Sequence, residues 1–362
     1  MWGRFLRNHS LLKLVTLWSA VIAVHLWLIF EAALNPQTAP FNDVNLYGIW
    51  SEQASAGGAL LGVRAPWVYP FVAMVPMFLA KLIGGSQGIL TGWLILIGLL
   101  NLIGLSAICD WGKADKKAFR AAGFYLAFLV LLGPVSIGRI DSVATFAALL
   151  GLVQVYRGRL RLAMMVFTIG AWIKIWPIAA AISLYTSAKQ RLPVLLVAIL
   201  TSAAVLAVGL FLGGNENLFS FVAMQGNRGL QVESVAATFW VWAAKVNLPG
   251  VGIYFDPALV TNQVSGSFTG EVSSLLSIVM LAALAITAWL SFNAYRAGAN
   301  FKHLFAVTLL TGILDLIVFN KVGSPQFESW LAVPLIAGIL FGLPHWRLPL
   351  VIGAAIALMT NL

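Results

Sequence analysis

The first residues that could do chemistry are an acid and two aromatics in Phe41-Asn42-Asp43-Val44-Asn45-Leu46-Tyr47-Gly48-Ile49-Trp50-Ser51-Glu52, a segment that begins within ten residues of a long apolar run. If the segment is helical, Asp43, Tyr47 and Trp50 share a face by i, i+4, i+7 spacing. A carboxylate beside aromatic rings suits a sugar hydroxyl. The carboxylate takes the proton and the ring packs on the apolar face of the sugar. The same spacing also fits an N-capping Asp on an amphipathic helix lying in a membrane interface.

Four further clusters carry polar groups. Gly138-Arg139-Ile140-Asp141-Ser142 falls at a turn between apolar runs. Arg139 and Asp141 either face a polar ligand or pair with each other, with Asp141 near a helix start. Lys174 precedes Trp176-Pro177 inside an apolar stretch. An unpaired Lys there costs about 2.5–3.5 kcal/mol on insertion scales, so it must meet a counter-charge, line a cavity or snorkel. A phosphate is the obvious anion for such a point charge. Gln225-Gly226-Asn227-Arg228-Gly229-Leu230-Gln231-Val232-Glu233-Ser234 is dense in hydrogen-bonding groups and suits a polar ligand or a solvated loop. Asn320-Lys321-Val322-Gly323-Ser324-Pro325-Gln326-Phe327-Glu328 closes the set. Asp315, a little over one turn before Asn320, is expected to pair with Lys174 or Lys321.

These residues sit in a chain of 362 residues, 60% hydrophobic and only 9% charged, with a net charge of +10 and a mean hydropathy of +0.93. A soluble domain carries about 25% charged residues. The composition therefore excludes a soluble globule, a disordered chain and a nucleic-acid binder. With a single Cys and four His, none of the His at ligand spacing, no metal site is expected. There is no phosphate-binding Gly-rich loop of the P-loop kind and no Asp-x-Asp pair, so the expected chemistry needs no cofactor.

The elements that must position the clusters are membrane spans. Apolar runs at 12–33, 86–108, 121–137, 141–156, 193–212, 272–292, 303–320, 329–344 and 347–361 approach the required length of about 20 residues. Runs 66–84 and 162–187 are broken by Pro or charge. Short Lys/Arg clusters between runs put the N-terminus in the cytoplasm by the positive-inside rule. The first run, too long for a cleaved signal core, reads as a retained span. Both ends of 162–187 are basic, so two short helices must meet at Lys174–Pro177, where Pro removes a donor. The expected fold is an all-α polytopic bundle of about eleven crossings. It forms a single transmembrane domain over 1–362, with outer loops at 34–65 and 213–270 and a short or re-entrant piece near Tyr69-Pro70. The costly polar residues then converge on the outer side.

The order of these motifs resembles the membrane-embedded glycosyltransferases of the GT-C superfamily. The likeness is to family 87, the polyprenyl-phosphate-mannose-dependent enzymes that act in actinobacterial phosphatidylinositol mannoside synthesis. It rests on Asp43 before Tyr47, Tyr69-Pro70 with Pro76, Gly138-Arg139-Ile140-Asp141-Ser142, Arg157-Gly158-Arg159, Lys174 before Pro177, and Ser324-Pro325-Gln326, and it spans about 40 to 330. Arg139 stands where relatives often have Gln.

The resemblance implies an inverting mannosyltransferase of the bacterial plasma membrane with its site facing the periplasm. Its partners would be a polyprenyl-phosphate mannose donor, a glycolipid or lipoglycan acceptor and the bilayer itself. Asp43 would be the general base. Lys174, Arg228 and Lys321 would hold the donor phosphate. Tyr47, Trp50, Tyr69, Arg139, Asp141, Gln225, Asn227, Gln231, Glu233 and Gln326 would bind sugar or acceptor. A β-linked donor would yield an α-linked product. The same residues leave open an arabinosyltransferase using polyprenyl-phosphate arabinose, a flippase of lipid-linked sugar, and a non-catalytic subunit of an envelope-synthesis complex. A flippase is expected to carry charge through the full membrane depth and to show paired halves, neither of which is visible here.

Overall fold

The computed structural model describes residues 2–226, 228–257 and 261–362, with side chains from residue 9 onward except at 225. It is all-α in architecture, with 75% of residues helical. In chain order the helices are α1 (Trp2–Leu34), α2 (Asn42–Ser55), α3 (Met74–Gly84), α4 (Ile89–Ile108), α5 (Lys116–Leu132), α6 (Asp141–Tyr156), α7 (Leu160–Ile173), α8 (Ile178–Ser187), α9 (Arg191–Phe211) and α10 (Ser220–Gly226). They continue with α11 (Thr238–Lys245), α12 (Thr269–Arg296), α13 (Phe301–Val318), α14 (Ala332–Phe341) and α15 (Arg347–Asn361). Among the described residues five helices, α1, α4, α9, α12 and α13, are long and apolar enough to cross a membrane. The others are shorter than the roughly 20 residues a full span needs. The coarse expectation, a helical membrane protein, stands. Five long helices form the framework, and shorter apolar helices such as α6, α7, α8 and α15 pack among them.

One helix sits at the centre. Most of α6 is buried, and it packs against α4, α7 and α14. Small residues allow these approaches, as expected where lipid offers no hydrophobic drive and helices must fit by shape. A Cβ on Gly151 would lie 2.3 Å from the Phe167 ring of α7. α5, α14 and α15 flank the centre on one side, and α7, α8, α13 and α12 continue from α7 on the other. By contrast α9 and α12 are only 11% buried over their apolar windows, which leaves their flanks to lipid.

Two networks pair polar groups inside this bundle, where hydrocarbon would leave them unsatisfied. Tyr125 donates to Asn101 Oδ1 at 3.0 Å, Asn101 donates to His25 Nε2 at 3.2 Å, and His25 Nδ1 donates to the Val21 carbonyl at 2.9 Å. This chain ties α5, α4 and α1 in register. Thr186, Ser291 and Thr308 form a second network across α8, α12 and α13. Asp315, expected to pair with a lysine, instead accepts from Thr287 Oγ1 at 2.7 Å, so it joins α13 to α12 without a cation.

The broken run behaves as its Pro and Lys require. α7 stops at Ile173, Lys174 is extended (φ −147°, ψ 134°), and α8 restarts at Ile178 after Pro177. At 14 and 10 residues the two halves span about 21 and 15 Å, each short of a bilayer core. The loop assigned to 213–270 holds one surprise for an all-α reading. Gly252–Asp256 (β1) pairs antiparallel with Thr261–Ser265 (β2), with Tyr254 opposite Gln263.

The tightest backbone crossing joins α3 and α4, where a Cβ on Gly92 would fall 1.8 Å from the Ala80 carbonyl oxygen. Gly92→Ala should therefore cost about 1–3 kcal/mol by overpacking, read as a lowered unfolding midpoint in detergent. Gly123→Ala is the control: nothing lies within 4 Å of its Cβ position on α5, so its midpoint should hold or rise, since Ala favours helix by about 0.5–1 kcal/mol. Equal effects would disprove the close crossing.

Candidate functional site

Two turns bring the site together. The 3₁₀ segment Pro134–Ser136 and the residues up to Ile140 form the entry to α6. Three contacts hold this entry. Trp93 of α4 donates to the Ile137 carbonyl at 3.0 Å, and the Ile140 amide donates to Tyr47 Oη at 2.9 Å. Gly138 permits the third: a Cβ there would lie 2.6 Å from the Pro40 carbonyl oxygen and 2.7 Å from the Phe41 ring. The start of α2 can thus press on the start of α6. Asp43, in the first turn of α2, then meets Arg139 in an ion pair through Oδ1 and Nη1.

The second turn is the break between α7 and α8. Lys174 Nζ binds Asp141 Oδ2 at 2.9 Å, and Trp330 Nε1 donates to Asp141 Oδ1 at 2.7 Å. Asp141 is only 1% exposed, so both oxygens are committed inside the protein. The Lys174 ammonium also lies 5.0 Å from the Tyr69 ring centroid and 5.5 Å from that of Phe327. Phe327 stacks on Trp330 at 4.3 Å, and Trp330 on Trp176 at 5.5 Å. Cation–π contact of this kind gains strength when water is excluded.

A cavity of ≈440 Å³ opens beside this turn. Its walls carry Lys174, Arg228 and Lys321 together with Tyr69, Gln326 and Asn320. Aliphatic and aromatic residues of α10, α12 and α13 complete it, among them Phe221, Met280, Leu281 and Leu316. Of the three cations only Lys174 has a carboxylate partner among the described residues. Lys321 donates to the Gly226 carbonyl at 3.1 Å, and Arg228 Nε is buried with no partner. Burial holds the Arg228 guanidinium below its usual range. Burial, and then the charge of Arg228, do the same to the Lys321 ammonium. An anion between them would relieve both penalties.

Next to the cavity runs a row of rings. Trp50, Trp67 and Tyr69 meet edge to face, at 5.3 Å for Trp50–Trp67 and for Trp67–Tyr69. Asp43 is close enough to Tyr69 and Lys174 for its charge to act on both. Of these groups Tyr69 lines the cavity, and Trp50 meets it edge to face at 6.2 Å.

Several expected roles change. Tyr47 is fully buried, packs on Trp93 at 4.8 Å and spends its hydroxyl on the Ile140 amide. It is a strut and has no face left for a sugar. Asp141 is likewise enclosed, because Lys174 and Trp330 use both of its oxygens. Arg139 and Asp141 do not pair with each other: Arg139 meets Asp43 of α2, and Asp141 meets Lys174 in the break after α7. Gln231 is 1% exposed, its amide donates to the Lys321 carbonyl at 3.0 Å, and it is not in the cavity wall. Glu233 is exposed and also outside the wall. The Gln225 side chain and Asn227 lie outside the described residues. Tyr69 and Gln326 line the cavity, Trp50 packs on Tyr69, and Arg139 is outside the wall, paired with Asp43. The sequence reading missed Trp67, Phe327 and Trp330. Their only sequence signal is the density of Trp and Phe around motifs that were already singled out.

No protein-family model matches the chain, and no curated protein or solved structure matches it.

The Asp141–Lys174 pair yields a test. Asp141→Asn should destabilise the protein by about 3–5 kcal/mol, because a buried lysine is left uncompensated. Lys174→Met in the same chain should return part of that loss. Denaturant titration in detergent measures both. Strictly additive losses would mean that the two groups are not coupled.

Proposed function

We propose that the protein is an inverting glycosyltransferase that moves a mannosyl residue from polyprenyl-phosphate mannose to a glycolipid or lipoglycan acceptor on the outer face of the membrane. One observation carries this reading. A single cavity holds three cations, two of them without a carboxylate partner among the described residues, between aromatic rings and the apolar flanks of α12 and α13. A phosphate joined to a sugar at one end and to a long hydrocarbon at the other fits such walls. The order of motifs that resembles family 87 of the GT-C superfamily points the same way.

The chemistry follows from the groups present. Asp43 engages Arg139 through one oxygen, and the other takes the proton of the acceptor hydroxyl. The hydroxyl oxygen attacks the anomeric carbon of the donor. The bond from that carbon to the phosphate oxygen breaks in the same step, which inverts the configuration. Polyprenyl phosphate departs with the electron pair, and Arg228, Lys321 and Lys174 stabilise the charge as it develops. Trp50 and Tyr69 supply ring faces for sugar, with the buried Trp67 packed between them.

The assay is purified protein in liposomes with radiolabelled polyprenyl-phosphate mannose and a short mannosylated lipid acceptor. Wild type should transfer label to the lipid product. Asp43→Asn should lower transfer by about 10²–10⁴-fold, the usual worth of a general base. Arg228→Gln and Lys321→Gln should each cost about 10²–10³-fold in kcat, as loss of a preorganised charge-stabilising group does. Transfer that survives Asp43→Asn would remove Asp43 as the base. Transfer from the arabinose donor alone would reassign the sugar, and label that crosses the bilayer without transfer would favour a flippase.

A further inference from the structure

Helix α11, with the 3₁₀ turn Val235–Ala237 before it and Val246 after it, is apolar on both of its faces. Ala237, Trp240 and Ala243 turn inward and pack with Leu230, Val264 and Leu276. On the other side Val235, Phe239, Trp242 and Val246 fall at i, i+4, i+7, i+11 and are exposed, Phe239 by 68% and Trp242 by 65%. The adjoining strand β1 leaves Ile253, Tyr254 and Phe255 half exposed, and Phe268, at the foot of the hairpin, is 70% exposed. A groove of ≈680 Å³ between α11 and β1 is lined by Trp242, Leu248, Val251, Ile253 and Lys245. A helix that is hydrophobic all round is a buried helix, so something outside the chain covers this face.

The depth of the patch identifies its cover. The inward face of α11 packs on Leu276, which lies seven residues into α12, about 10 Å along its axis. Leu276 is flanked on α12 by Leu275 and Ile278, both exposed and strongly apolar. They belong to the 28-residue span that is only 11% buried, so lipid is what surrounds them. Trp240 Nε1 also donates to the Ser267 carbonyl at 3.2 Å, which locks α11 beside the top of that span. The uncovered face of α11 is thus level with the upper turns of a lipid-facing helix and continuous with them. Its composition matches that level. Trp, Tyr and Phe collect where hydrocarbon meets headgroups, and Lys245 at the end of α11 can reach water from there.

We propose that α11 and β1 form a monotopic element seated in the membrane interface at the N-terminal end of α12, with Val235, Phe239, Trp242 and Val246 turned into lipid. Much of what reads from sequence as a solvated outer loop is then a part of the membrane surface of the protein. It adjoins the cavity through the same helix, α12, whose Met280 and Leu281 line that cavity.

Spin labels test this. Full-length protein carrying Phe239→Cys, Trp242→Cys or Phe255→Cys is labelled and reconstituted into phosphatidylcholine vesicles. Glu216→Cys, at an exposed position, is the aqueous reference. The native Cys109 is buried, and unsubstituted protein gives its background. Collision with oxygen and with a water-soluble nickel chelate is then measured by electron paramagnetic resonance. Labels at 239 and 242 should show an oxygen-to-nickel ratio at least several-fold above that at 216. Nickel access equal to the reference would overturn the proposal. So would shielding from both reagents, which would mean that a protein surface covers the patch. Circular dichroism of each variant confirms that the helix content is kept.

Discussion

A charge inside a membrane must be neutralised where it stands, and the Asp141–Lys174 pair is where this chain meets that demand. The ammonium is 2.9 Å from one carboxylate oxygen, and the Trp330 indole holds the other at 2.7 Å. Three separate pieces of backbone are fixed by this one carboxylate: the start of α6, the extended break between α7 and α8, and the turn before α14. The break would otherwise present unpaired backbone groups at membrane depth, which is tolerated only against protein or a watery cavity. Here it has both. Stacked rings from Trp176, Trp330 and Phe327 pack there and form part of the cavity wall.

The contrast between paired and unpaired cations then separates scaffold from site. Lys174 is neutralised inside the protein and serves as a fixed post in the cavity wall. Among the described residues neither Arg228 nor Lys321 meets a carboxylate, and the Arg228 carbonyl accepts from Ser273 Oγ at 3.1 Å. The Lys321 carbonyl accepts from the Gln231 amide, and Lys321 Nζ donates to the Gly226 carbonyl. Two loops far apart in sequence therefore buttress each other and turn their positive groups the same way. The hairpin continues that support. The Val264 amide donates to the Leu230 carbonyl, and the Val232 amide to the Asn262 carbonyl.

Elements were far easier to read from the chain than contacts. The apolar runs at 141–156 and 347–361 coincide with α6 and α15, because helix length and hydropathy are local properties. The parity of basic clusters around 162–187 called for a break at Lys174–Pro177, and the break is there. The hairpin was invisible for an opposite reason: Gly252–Asp256 and Thr261–Ser265 are five residues each, too short to show a period amid so much apolar sequence. Pairing was harder still. Arg139 and Asp141 are neighbours in the chain, yet one turns to Asp43 and the other to Lys174. Asp315 lies shortly before Lys321 in the chain but accepts instead from Thr287.

By itself, then, the sequence determined the class of molecule, its helical runs, its one deliberate break and the set of polar residues too costly to be idle. Each of these follows from composition or from spacing within a single helix. The tertiary structure alone decided which of those residues neutralise each other and which remain free. Tyr47 became a strut and Asp141 an anchor, while Arg228 and Lys321 were left facing a cavity. Spacing could not foretell this. An ion pair is chosen by distance through space in a low dielectric, and the partner of Asp141 that completes its shell is Trp330, 189 residues away along the chain.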